Sequence, residues 1–199
     1  MNPFARFAQP ATRTAACALA LSATFLAPLS PAQAAPALPT LDVPAYMGRW
    51  HQVALYPNRF QAQCLDSTTA TYRLLDDGRV EVANRCRTKD GWDETVGVAR
   101  PRDGTVRQEG GRVLAPASLE VSFLPAMLRW LGVGWGKYDL VHLAPQGAWA
   151  IVSEPTKEYL WMLSRTPQLS DAQWAVAIAE LQRMGFDLQR LKREAPPKE

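Results

Sequence analysis

The sequence predicts an all-β fold: an eight-stranded antiparallel up-and-down barrel with one C-terminal α-helix packed on its outside. Three observations predict it. Eight short runs alternate apolar and polar residues and are joined mostly by short turns. A single capped helical segment follows the last run. The first and last runs carry facing motifs, which suits a sheet that closes on itself and so removes its exposed edges.

The first 34 residues read as a secretory signal peptide rather than as fold. Arg6 and Arg13 supply a positive start, Ala15 to Leu29 is apolar, and Ala32-Gln33-Ala34 offers a small-x-small cleavage site. The apolar run is shorter than the ~20 residues that a membrane span needs. Cys17 raises the question of a lipid anchor. However, no Leu stands three residues before it and most of the apolar run follows it, so simple export to the periplasm is expected. Cleavage after Ala34 leaves 165 residues with 20 basic and 19 acidic side chains. Without a basic block, nucleic acid is not an implied partner. That length suits one domain with a full core. We expect a Pro-rich lead-in over 35–42, the folded domain over 43–193 and a tail over 194–199. The remaining cysteines, Cys64 and Cys86, are expected to form one disulfide in an exported protein.

The strands follow from period-two patterning. After a turn of helix in Leu41 to Met47, the first strand runs from Arg49 to Tyr56, with Trp50, Gln52, Ala54 and Tyr56 on one face. The second ends in Thr69-Ala70-Thr71-Tyr72-Arg73-Leu74, rich in β-branched and aromatic residues. Asp76-Asp77-Gly78 makes a hairpin loop to the third, Arg79 to Asn84. Asp90-Gly91 turns into the fourth, Asp93 to Ala99. The fifth is Ser118 to Phe123, the sixth Tyr138 to Leu143, the seventh Trp149 to Ser153 and the eighth Glu158 to Arg165. Ser170 and Gln173 have the spacing of a capping box at a helix start. Trp174, Ile178 and Leu181 make its apolar stripe, and Gly185 sits where a left-handed C-terminal residue belongs. Phe186-Asp187-Leu188 should return as a short edge strand. A three-residue hairpin loop gives Cys64 and Cys86 the same inward parity but leaves them out of register, so a bulge around Asp66-Ser67-Thr68 is required.

Gly48-Arg49-Trp50 opens the first strand, and Tyr159-Leu160-Trp161-Met162-Leu163-Ser164-Arg165 is the last. If these strands meet, the Arg165 guanidinium can lie on the Trp50 indole and plug one end. Together the two segments resemble the signature of the lipocalin family. Gly136-Lys137-Tyr138-Asp139-Leu140-Val141 looks like that family's middle motif. The resemblance spans about residues 43 to 193 and points to the bacterial lipocalins allied to apolipoprotein D. It implies a barrel holding one small hydrophobic ligand, with no cofactor, and ligand contacts at the positions of Tyr72, Asn84, Tyr138 and Trp161. The inward faces of the strands add Tyr56, Phe123 and Leu140 to the expected lipid-binding set. An eight-stranded barrel is just wide enough for such a ligand, although the same residues could fill a solid core.

The connection from Leu124 to Trp135 is nearly all apolar, with Arg129 its only charge. Up-and-down order puts it at the end opposite Trp50, the open mouth. There Met127, Leu128, Trp130, Leu131 and Trp135 would either touch a membrane interface or fold inward as a lid. Enzymatic signals are thin. His51 and His142 have no metal-ligand spacing, and Gly132-Val133-Gly134-Trp135-Gly136 has neither the following helix nor the Lys-Ser/Thr of a phosphate loop. Some lipocalins use a cysteine thiol near the second strand, which keeps an enzyme acting on a lipid-like substrate as one alternative through Cys64. A binder of a non-lipid chromophore such as haem is another. The leading expectation is a non-enzymatic periplasmic carrier or scavenger of fatty acids or lysophospholipids, with peripheral contact to the membrane.

Overall fold

The computed structural model describes residues 40–102, 106–129 and 131–195; the expected signal segment 1–34 and Trp130 lie outside them. In chain order the elements are β1 (Thr40–Asp42), α1 (Val43–Tyr46), β2 (Gly48–Leu55), β3 (Asp66–Leu74), β4 (Val80–Thr88), β5 (Gly91–Pro101), β6 (Arg107–Glu109), β7 (Arg112–Pro116) and β8 (Ser118–Ser122). They continue as α2 (Ala126–Arg129), β9 (Gly136–Leu143), β10 (Trp149–Ser153), β11 (Leu160–Ser164), α3 (Asp171–Arg183) and β12 (Lys192–Arg193). The eight expected strands are β2, β3, β4, β5, β8, β9, β10 and β11, each antiparallel to the next. Closure comes where β11 meets β2, with Ser164 opposite His51 and Trp161 opposite Leu55.

The wall separates two apolar clusters. Inside, Trp50, Tyr72, Val82, Leu140, Val152 and Leu163 pack together. Outside, Tyr56, Ile151, Leu160, Met162, Ala177 and Leu181 fill the space between wall and α3. The helix begins as expected: the Ser170 hydroxyl accepts from the Gln173 amide, and the Gln173 side chain accepts from the Ser170 amide. It ends at Gly185, whose φ of +73° a residue with a side chain rarely adopts.

Two bulges decide which residues face in. Leu163 lies opposite Gln52 and Met162 opposite Ala54, so Val53 is an extra residue in β2. One extra residue reverses the faces beyond it. Trp50 therefore belongs to the inner cluster, while Ala54 and Tyr56 belong to the outer one. A second bulge leaves Val141 unpaired between Leu140 and His142 in β9. It lets Leu140 point inward while His142 stacks on Trp149, 4.7 Å away.

The structure differs from expectation at three places. The β6–β7 hairpin, extended by β1, forms a small separate sheet where no strands were expected; its short segments alternate too briefly to register as a pattern. β1 also takes up the end of the expected lead-in. The returning edge strand is not Phe186 to Leu188 but β12, pairing Arg193 with Ala54, because Leu188–Arg190 winds into a 3-10 turn. Cys64 and Cys86 do form the disulfide. The required bulge is present between Asp66 and Thr69, with Ser67 at φ +58°.

Candidate functional site: the barrel interior

The barrel holds a cavity of about 950 Å³, open at the end formed by the β2–β3, β4–β5, β8–β9 and β10–β11 connections. This is within the size range of small-molecule sites.

The closed end is the expected plug. The Arg165 guanidinium carbon stands 3.8 Å from the centre of the Trp50 ring. Arg165 donates to the carbonyls of Arg49 and Ala45 at 3.0 and 2.9 Å, and the Trp50 indole N–H donates to the Tyr46 carbonyl at 2.9 Å. Gly48 opens the strand beside it at φ +89°, a backbone conformation that a residue with a side chain rarely adopts.

Above the plug three phenols converge. The Tyr138 hydroxyl lies 3.1 Å from that of Tyr46 and 2.8 Å from that of Tyr72. Burial pushes the Tyr72 phenol up to about 12, and those of Tyr46 and Tyr138 well above the ordinary value. All three remain protonated at neutral pH. Parity assigns no face to Tyr46, which sits in α1 ahead of Gly48, so the alternating runs do not reveal its part in this group.

Of the expected ligand contacts, Tyr72, Asn84, Phe123, Tyr138 and Trp161 line the cavity. Tyr56 does not. The bulge at Val53 turns it outward, where its hydroxyl donates to the Asp187 carbonyl at 2.8 Å and its ring meets Phe186 edge-on. Leu140 points inward but is fully buried among the inner cluster and does not reach the cavity surface.

Nearer the mouth, Trp161 stacks on Tyr159 with centroids 5.9 Å apart, and Phe60 joins Tyr159 at 5.5 Å. The Trp161 indole N–H is already used: it donates to Gln61 Oε1 at 2.7 Å. Gln61 donates in turn to Gln52 (2.9 Å), and Gln52 to the Glu194 carboxylate (2.6 Å). A donor-only indole and an acceptor-only carboxylate fix the direction of this chain. Trp161 therefore offers a ligand its ring face rather than its N–H. Glu194, expected in the tail, is part of the wall, and its other oxygen accepts from the Thr68 amide at 2.7 Å.

The β8–β9 connection lies at the mouth. Phe123 and Leu124 line the cavity; Gly97 leaves room for the Phe123 ring, 2.6 Å from where a Cβ would sit. Met127 is 77% exposed and Leu131 50%, and Leu128 is also exposed. Trp135 differs from these: it is half-buried, with the Arg100 guanidinium 4.0 Å from its ring centre. The Cys64 thiol that an enzymatic reading requires is tied up in the disulfide.

Residues 41–196 match the family model described as "Lipocalin-like domain". The chain is 34% identical over 152 residues to the outer membrane lipoprotein Blc of Citrobacter freundii, covering 75% of this chain and 76% of that protein. It is 30% identical over 162 residues to temperature-induced lipocalin-1 of Arabidopsis thaliana, covering 79% and 82%. Mouse apolipoprotein D is 30% identical over 139 residues, covering 67% and 66%. Among solved structures, insecticyanin from the tobacco hornworm Manduca sexta aligns with a TM-score of 0.58 at 14% identity, covering 81% and 84% of the two chains. Apocrustacyanin C1 aligns with a TM-score of 0.57 at 16% identity, covering 77% and 79%. At these identities the two structures support the fold alone.

Proposed function

The chain belongs to the lipocalin family, and from the cavity in its barrel we propose that it is a periplasmic lipid-binding protein that carries or scavenges fatty acids or lysophospholipids for the cell envelope. The observation that carries this reading is the cavity itself, open at one end and plugged at the other by Trp50 and Arg165. Its walls include Leu41, Ala70, Val82, Ala99, Val121 and Val152, which suit an alkyl chain. The signal-like pattern of residues 1–34 and a relative named as an outer membrane lipoprotein support an envelope location. Storage or transport needs no catalytic group, and the disulfide withdraws the thiol that the enzymatic alternative would use.

We also assign the mouth to contact with a membrane surface. Met127, Leu128, Leu131 and Val133 expose their side chains, the opposite of what an inward-folded lid would show. Phe60 adds a further exposed ring from the β2–β3 connection. Lipid would then enter from the bilayer interface without crossing open water.

Native mass spectrometry of protein purified from the periplasm, followed by extraction of bound ligand, tests the reading. A fatty acid or lysophospholipid at one per chain is the expected result. A coloured protein carrying a chromophore, or a mature protein recovered only from the cytoplasm, would overturn it.

A further inference from the structure

One inner row of side chains runs past the end of the barrel. Val113, Ala115, Ala117, Leu119, Val121 and Phe123 stand at every second position, from β7 through the bend at Ala117 into β8. All but Ala117 line the cavity, and Ala117 is fully buried in the inner cluster. Phe123 is at the mouth, whereas Val113 belongs to the small sheet of β1, β7 and β6. The extended chain between them covers about 33 Å. With strands tilted about 35–45° to a barrel axis, that is about 25 Å of depth.

The plug of Trp50 and Arg165 does not end the cavity on this side. Tyr138, whose hydroxyl sits above the plug, lies opposite Leu119. The row continues beyond that pair, away from the mouth, through Ala117, Ala115 and Val113. Leu41 lies opposite Ala115 across the β1–β7 pair and so shares its face. Leu41 and Val43 line the same cavity. The space below Tyr138 is therefore an inner arm roofed by the small sheet, and its lining of Leu41, Val43, Val113 and Ala115 is hydrocarbon throughout. The β1–β7 pairing holds this roof in place, helped by Arg112, which donates to the Asp42 carboxylate at 2.7 Å.

On the reading that the protein binds lipid, we infer that this arm receives the methyl end of the acyl chain, and that Val113 at its far end limits the chain length the protein accepts. A polar head group placed there would exchange water for hydrocarbon side chains, which is unfavourable. Each methylene buried there is instead worth about fourfold in affinity. The chain therefore lies with its polar end toward the mouth. One leaflet of a bilayer gives its chains a depth of about 15 Å, half of the hydrocarbon core. The row is deeper than that, so affinity rises as the chain grows from twelve to twenty carbons. Ala115 and Ala117 keep the arm wide, since neither extends beyond Cβ.

The test titrates the mature protein with saturated fatty acids from laurate (twelve carbons) to arachidate (twenty carbons), below their critical micelle concentrations. Val113→Trp fills the far end of the arm. By displacing about two methylenes it should weaken arachidate about tenfold and leave laurate within about threefold of wild type. Val113→Ala lengthens the arm and should favour arachidate over laurate more than wild type does. A third measurement needs no variant: arachidate carrying a diazirine at its methyl end should, on irradiation, label Leu41, Val113 or Ala115. Equal losses for both acids in Val113→Trp would overturn the inner arm as the seat of the chain end. Unchanged arachidate affinity in that variant, or label confined to mouth residues such as Phe123, would do the same. Each of these leaves lipid binding standing. A folded wild-type protein that binds no fatty acid of any length overturns the lipid reading itself.

Discussion

Replacing Arg165 with alanine should loosen the barrel without emptying its ligand site. The structure lets the loss be worked through. The guanidinium sits 3.8 Å over the Trp50 ring at a partly solvated position, a cation–π contact of about 1 kcal/mol. Its two hydrogen bonds, to the carbonyls of Ala45 and Arg49, tie α1 and β2 to the end of β11. Because solvent can reach these carbonyls once the side chain is gone, each bond contributes only about 0.5–1 kcal/mol. The sum is about 2–3 kcal/mol, or about 4–12 °C in Tm for a domain of this size. Thermal unfolding followed by circular dichroism measures it. Arg165→Lys is the informative partner: it keeps the charge and loses the planar fork, so it should recover about half of the loss. Lipid affinity should fall by less than stability does, because Arg165 does not line the cavity. An unchanged Tm together with abolished lipid binding would refute the reasoning and exchange the open and closed ends.

Three further outcomes are expected. Replacing Cys64 and Cys86 with serine removes a crosslink spanning 22 residues. It should cost about 3 kcal/mol by denaturant unfolding, whereas two titratable thiols in unfolded, unreduced wild type would mean that the bond is absent. Met127→Ser with Leu131→Ser removes two exposed apolar side chains at the mouth. At about 1.5–3 kcal/mol each on full burial, this should abolish co-sedimentation with vesicles while soluble fatty acid still binds; the reverse pattern would make the loop a lid. Finally, burial holds His142 below its ordinary 6.5 against the opposing pull of Glu180, and Arg183 adds to the lowering. His51 is lowered by burial and Arg49. Below 6.5 the unfolded chain binds protons that the native state resists, so this part of the stability is full above that pH and is lost as pH falls. His142→Phe keeps a ring on Trp149 and should reduce the fall in Tm between about pH 7.5 and 5.5; a drop as large as wild type's would remove His142 from the account.

Alternation in the sequence was enough to place eight strands, their antiparallel order, the capped helix and the meeting of Trp50 with Arg165. Each depends on a local period or on the general need of a sheet to close. Even the Ser67 bulge follows from counting residues between the hairpin and the two cysteines. The faces of Tyr56 and His142 were not legible in this way. Each lies beyond a bulge, at Val53 or Val141, whose position is set by the partner strand and the packing of α3, and one inserted residue reverses every face after it. The fate of Glu194 was also hidden: nothing local marks its carboxylate as the acceptor that ends a chain reaching Trp161. The phenol group is the clearest case. Its members stand 92 residues apart at the widest, and one of them precedes the first barrel strand in a helical turn. Sequence alone determined that a barrel would form and which end would close. Only the tertiary structure decided that three hydroxyls would meet above that end, because the group is assembled from α1, β3 and β9 and belongs to no single segment of the chain.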